Sequence, residues 1–286
     1  MQLSSSRKFK NTLFKATLVL SSLIVVIPLF LIFNFLLQKG ISSLNFDFIF
    51  NAPKPVGEIG GGMKHAFIGT LVMVGMAALI AIPLGTLCGV YLSEYNKGKI
   101  AWFLRFTIDL LTGVPSIVIG IFSYLIIVVS MKGFSAFAGS FALSIIILPT
   151  ITRTTEEILK LIPTHIREAG LALGLPRWKV IYHILLKGSR ASLMTGVILS
   201  ISRAAGETAP LLFTAFGSMY VSYDPREPMA SLPVQIYNYA ISPYDDWQRQ
   251  AWAGAFSLIL LVLGLNIFAR LYFKKNTFLK FFIKKS

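Results

Sequence analysis

The chain has 286 residues, 55% of them hydrophobic and only 14% charged, which excludes an ordinary soluble domain and marks an integral membrane protein. Its 27 Lys and Arg against 12 Asp and Glu give a formal net charge of +15, an excess that basic cytoplasmic loops explain better than nucleic-acid binding. The single cysteine, Cys88, excludes both an internal disulfide and a Cys-based metal cluster.

Six segments are long and apolar enough to cross a hydrocarbon layer that needs about 20 helical residues: 16–37, 66–92, 108–130, 134–151, 191–216 and 251–272. The fourth is short and rich in Ala and Ser. The first follows Arg7, Lys8, Lys10 and Lys15 like a signal peptide, but its apolar run is too long and lacks a small-residue cleavage site, so it is read as a retained helix. Placing the N-terminus inside leaves only Lys39, Lys54, Lys64, Lys132, Arg226 and Arg249 on the outer side, so both termini are expected to face the cytoplasm. The expected organisation is an N-terminus with its first helix (1–37), a membrane core (66–272) and a basic cytoplasmic tail (273–286). The expected fold is an all-α polytopic transmembrane bundle.

Between the helices, the outer loop 38–65 carries clustered glycines in "VGEIGGGMKH" and reads as an irregular connector. The outer loop 217–250 is broken by Pro225, Pro228, Pro233 and Pro243, with "SLPVQIYNYA" as a short interfacial helix. His65, His165 and His183 show no HExxH spacing and read as loop residues, so neither a metal nor another cofactor is expected.

The inner connection 152–190 is more ordered in pattern. "TTEEILKLIP" is a helical phrase stopped by Pro163, and Thr164 is a fair N-cap for "THIREAGLALGLP", which ends at Gly174 and Pro176. "RWKVIYHILL" follows, with Trp178, Ile181 and Leu185 at helical spacing. Ala169, Gly170, Ala172 and Gly174 would let a partner approach closely, and Glu168 offers a carboxylate to a partner's Arg. Spacing alone fits both a knob inserted into a partner's groove and an amphipathic hairpin lying on lipid headgroups.

Within the fifth segment stands "RAAGETAPLLF". Ionised residues in a membrane interior cost about 2.5–3.5 kcal/mol each on insertion scales, so they are paired, face a cavity or carry function. Arg203 and Glu207 are spaced i, i+4 and would share a helix face, while Pro210 deprives the Gly206 carbonyl of its helical partner and predicts a kink. Arg153, where the fourth segment meets the cytoplasm, is expected to snorkel to lipid phosphates, with guidance of anions as the alternative. No GxxxxGK[ST] is present, so the chain has no nucleotide cradle, and no GxSxG or Ser–His constellation supports hydrolysis.

"EAGLALG" followed by Ile184 and Leu186 resembles the cytoplasmic EAA loop of permease subunits of bacterial ABC importers. Glu168, Ala169, Gly174, Ile184 and Leu186 match that pattern, with Gly170 at its third EAA position and Lys187 in place of its final proline. "YLSEY" (91–95), "GVPSIVIGIF" (113–122), "RTTEE" (153–157) and "RAAGETAPLLFTAFG" (203–217) are similar to the A-type permease of the phosphate-specific ABC transporter family, across most of the chain from about residue 60 onward. The resemblance implies a type I importer architecture with cytoplasmic coupling helices. It also implies a homologous second permease, two copies of an ATP-binding subunit and an extracytoplasmic phosphate-binding protein as partners within the lipid membrane. Glu168, Ala169, Gly170 and Gly174 would couple to the ATPase. Arg203 would offer its fork of donors to phosphate, Glu207 would hold Arg203 when the site is empty, and Thr208 would add a hydroxyl. A permanent ion pair is the other reading of Arg203 and Glu207. Rival functions are a permease for another oxyanion or small solute, an ATPase-independent anion channel or carrier, and an intramembrane hydrolase, which the missing nucleophile disfavours.

Overall fold

The computed structural model describes residues 5–41, 44–55, 58, 61–95 and 98–283, and these form helices with no strand among them. The first helix, α1 (Ser5–Gly40), is the most apolar, and none of its apolar stretch is buried by the rest of the chain. It leans on the last helix, α11 (Asp245–Ile283), through an edge-to-face contact of Phe35 with Trp252 at 5.1 Å and a close approach of Gly40 to Phe256. Such exposure of Leu, Ile, Val and Phe is stable only in lipid.

Part of the expected glycine-rich connector, at 56–57 and 59–60, lies outside the described residues, but the described part of 38–65 holds a helix. A short helix, α2 (Phe46–Phe50), is capped by the Asn45 side chain, and Gly62 passes so close to the α2 carbonyls that a Cβ would lie 2.5 Å from the Asp47 oxygen. The next helix, α3 (Lys64–Glu94), is long and apolar enough to cross a membrane and buries His65 in its first turn.

The expected third span is two helices. α4 (Lys99–Gly113) and α5 (Ser116–Met131) meet at 106°, because Val114 ahead of Pro115 is held extended (φ −72°, ψ 129°) and cannot continue a helix. α4 lays Ala101 and Ile108 on Leu92 of α3 and turns Trp102 and Phe103 outward. α5 contains a π-helical turn at Tyr124–Val128.

The central helix is α6 (Ala136–Lys160), whose apolar window is 67% buried within the chain. Its Ala and Ser residues are small because protein, not lipid, surrounds it. Ser140, Ser144 and Thr152 donate to carbonyls of their own helix, so their hydroxyls are satisfied without water. α3 and α6 share the most extensive helix contact: Gly85 lies against Ile151, and a Cβ at Gly89 would sit 2.5 Å from that of Thr155.

Beyond α6 come α7 (Thr164–Ala172), α8 (Arg177–Ala205), α9 (Ala209–Thr214) and α10 (Leu232–Ala240), the last being the expected short helix, capped by Ser231. α8 starts with a π-helical stretch, Val180–Leu186. The core joins Met73, Ala77, Leu143, Ile147, Val197 and Leu211 from α3, α6, α8 and α9. α11 runs on to Ile283, through most of the segment expected to be a separate basic tail. His165 and His183 also stand in helical segments, not loops.

Candidate functional site: a polar cavity at two helix breaks, and a docking hairpin

Two interrupted helices meet in the middle of the bundle. α8 stops at Ala205, where Gly206 and Glu207 fold their N–H groups back onto the carbonyls of Arg203 and Ala204. Pro210 then falls in the first turn of α9, where its missing N–H costs nothing. The expected kink is therefore a complete break. Glu207 lies in the linker, so it does not share a helix face with Arg203.

Where this break faces the α4–α5 break, a cavity of about 190 Å³ opens, lined by Thr112, Pro115, Ser116, Thr150, Arg203 and Glu207 among others. The N-terminal end of α5 opens onto it and adds the partial positive charge of its free N–H groups. The closest approach of Arg203 Nε to Glu207 Oε1 is 3.8 Å, too long for a hydrogen bond, and the Arg203 side chain is 60% exposed against 15% for Glu207. The pair expected to be buried is thus loose, with the guanidinium open. Thr208 starts α9, half-buried, and does not line the cavity.

The second candidate element is the inner hairpin. Pro163, not Thr164, occupies the N-cap of α7, and the turn closes through Gly174 at φ +78°, which glycine alone adopts without strain. Glu168 and Ala169 are exposed. Gly170 is buried: a Cβ there would lie 2.9 Å from Ile184 and 3.0 Å from Val180, so this glycine lets the two arms of the hairpin pack closely. Ile181 and Leu185 are buried but Trp178 is 61% exposed, because the π-helical winding rotates it off their face.

Sequence similarity extends over the whole of this arrangement. The family described as binding-protein-dependent transport system inner membrane component matches residues 81–277. The chain belongs to this family. It is 46% identical over 95% of its length to the phosphate transport system permease protein PstA of Pasteurella multocida, covering 97% of that protein. The PstA of Haemophilus influenzae is 43% identical, over 93% of this chain and 95% of its own length. Among solved structures, the inward-facing MetNI methionine ABC transporter superposes with a TM-score of 0.63 at 17% identity, covering 74% of this chain and 95% of that one. A bacterial alginate ABC transporter in complex with a pentasaccharide-bound periplasmic protein gives 0.62 at 15% identity, covering 94% and 96%. The fold is that of ABC transporter permeases, and the chain is a multi-pass inner-membrane transport component.

Two charged clusters of this permease escape sequence inspection. Near the C-terminal end of α6, Glu156 is 1% exposed and is held by Arg105 at 2.9 Å, Lys160 at 2.6 Å and Arg153 at 3.4 Å. Arg153 also bonds Asp109, so it ties α4 to α6, a role that the sequence reading does not foresee. The other cluster binds the hairpin itself. Arg167 of α7 grips Glu94 with Nε and Nη2 at 3.0 and 2.8 Å and donates to the carbonyls of Leu159 at 2.7 Å and Ile162 at 2.5 Å. Arg177 donates to the Glu94 carbonyl and stacks over Tyr95 at 4.3 Å. "YLSEY" and the adjacent charge in "REAG" were the available signals, but they stand 73 residues apart.

Proposed function

We propose that this permease forms half of the translocation pathway of an ATP-driven phosphate importer and docks its ATPase through the hairpin at Glu168, Ala169, Gly170 and Gly174. The observation that carries this is 46% identity, over 95% of the chain, to a protein named as a phosphate transport permease. The cavity supports it. Arg203 presents a planar fork suited to tetrahedral oxyanions, with Ser116 and Thr150 as hydroxyl donors and the α5 N-terminus as a fixed positive pole, while the Thr112 hydroxyl donates to the Ile108 carbonyl.

In this reading Glu207 is a latch. At 3.8 Å it holds Arg203 weakly, and an arriving anion displaces it, because a carboxylate beside phosphate is unfavourable unless it withdraws or takes a proton. Thr208 adds a hydroxyl once α9 shifts. A homologous second permease covers the open side of Arg203, and an extracytoplasmic phosphate-binding protein delivers the anion. ATP binding closes the ATPase pair, Glu168 to Gly174 pass the motion to the helices, and the pathway switches from inward to outward access. Hydrolysis returns it and releases phosphate inside. Both termini face the cytoplasm, and the chain performs no catalysis itself.

The test is uptake of labelled phosphate in a strain lacking this gene, restored by the chain, with sulfate and molybdate as competitors. Arginine and hydroxyls would serve any tetrahedral oxyanion, so the competitors decide the substrate. Phosphate uptake insensitive to both supports the reading, and restored sulfate uptake without phosphate uptake overturns it.

A further inference from the structure

The hairpin is joined to the membrane helices by two routes, one apolar and one charged. On the return side, the chain passes Gly174 at φ +78° and the π-helical stretch Val180–Leu186 before reaching regular α8. Among the described residues this stretch meets α6 through apolar contact alone, Ile181 and Leu185 lying against Leu159. On the other side, Arg167 bridges three segments with one rigid guanidinium. It holds the Glu94 carboxylate at the end of α3 and the Leu159 and Ile162 carbonyls that close α6, while remaining on α7. The Glu94 and Arg167 side chains are only 5% and 18% exposed, so the link is shielded from water and salt.

We propose that the Glu94–Arg167 pair is the joint through which displacement of the hairpin reaches α3 and α6, which makes both of them positioning residues for transport. This rests on the function proposed above. A fork with four bonds in several directions transmits push and pull alike, whereas a single apolar contact transmits only compression. α3 and α6, packed at Gly85 and Gly89, then move together. α6 carries Pro149 and Thr150 of the cavity wall, so the displacement arrives where Arg203 is waiting.

The test uses the complete importer in liposomes and reads phosphate transported per ATP hydrolysed, alongside the amount of ATPase retained. Glu94→Gln keeps the shape and removes the charge; it is expected to retain the ATPase and hydrolyse ATP while phosphate per ATP falls about tenfold. Glu94→Asp keeps the charge at shorter reach and is expected to lose about threefold. Arg167→Gln is expected to fall at least as far as Glu94→Gln, with the double variant no worse than Arg167→Gln alone, because the two act as one unit. A wild-type ratio in either Glu94 variant, with less complex assembled, would overturn the joint and leave simple packing. A wild-type importer that hydrolyses ATP without moving phosphate would overturn the proposed function and this inference together, and the wild-type arm identifies that case.

Discussion

Two arginine–glutamate pairs divide the work of this chain, and their contrast is instructive. Arg203 and Glu207 are four residues apart in sequence yet 3.8 Å apart in space, in a cavity, with the arginine open. Glu94 and Arg167 are 73 residues apart yet close to 2.8 Å, nearly buried, with every direction of the guanidinium used. In the proposed function the loose pair exchanges one partner for another. The tight pair is arranged never to let go, since breaking a buried pair strands a desolvated charge. Proximity in sequence therefore says little about which pair is structural.

The largest expected effect falls on the loose pair. Arg203→Gln removes a charged donor from the cavity, about 2–3 kcal/mol of anion stabilisation, or roughly 30- to 150-fold in phosphate uptake, with assembly intact. Near-normal uptake in that variant would reduce Arg203 to packing and erase the contrast. Glu168→Lys reverses a charge on the exposed hairpin face and is expected to weaken ATPase retention by about 2 kcal/mol, roughly 30-fold, as judged by co-purification in mild detergent. A normal yield of ATPase would remove the hairpin from the docking role. Glu94→Gln should act lower on the scale and on a different quantity, lowering phosphate per ATP about tenfold while the ATPase stays bound.

Two glycines sharpen the comparison further. At Gly89 a Cβ would meet Thr155 at 2.5 Å and the Thr152 carbonyl at 2.7 Å, so Gly89→Ala must separate α3 from α6, at about 2–3 kcal/mol. At Gly170 the first atom met is the flexible end of Ile184 at 2.9 Å, so Gly170→Ala should cost about 1 kcal/mol. Thermal midpoints of the purified complexes check this order. Equal midpoints would mean that the α3–α6 contact is as yielding as the hairpin.

Much of the fold was legible because lipid and protein demand different side chains. α1, facing lipid, carries a long apolar run and is easily read; α6, enclosed by its own chain, is rich in Ala, Ser and Thr and shows a weak, short signal ending at 151 where the helix reaches Lys160. Pro210 announced irregularity, but a periodicity reading cannot tell a kink from a complete break or foresee the 106° corner ahead of α5, since both depend on what fills the angle. Arg203 and Glu207 were visible as charges out of place in an apolar run. Thr112, Ser116 and Thr150 were not, because hydroxyls in membrane helices usually bond their own backbone. The Glu94–Arg167 joint lay beyond sequence reasoning, as nothing local says which of many cytoplasmic charges will meet.

The central claim is that the chain is a gate moved by a separate motor, and reconstitution in sealed vesicles tests it most directly. Labelled phosphate should stay outside vesicles holding this chain alone and enter only when the second permease, the ATPase, the binding protein and ATP are supplied together. Phosphate crossing at the full rate through the chain by itself, without nucleotide, would contradict the account.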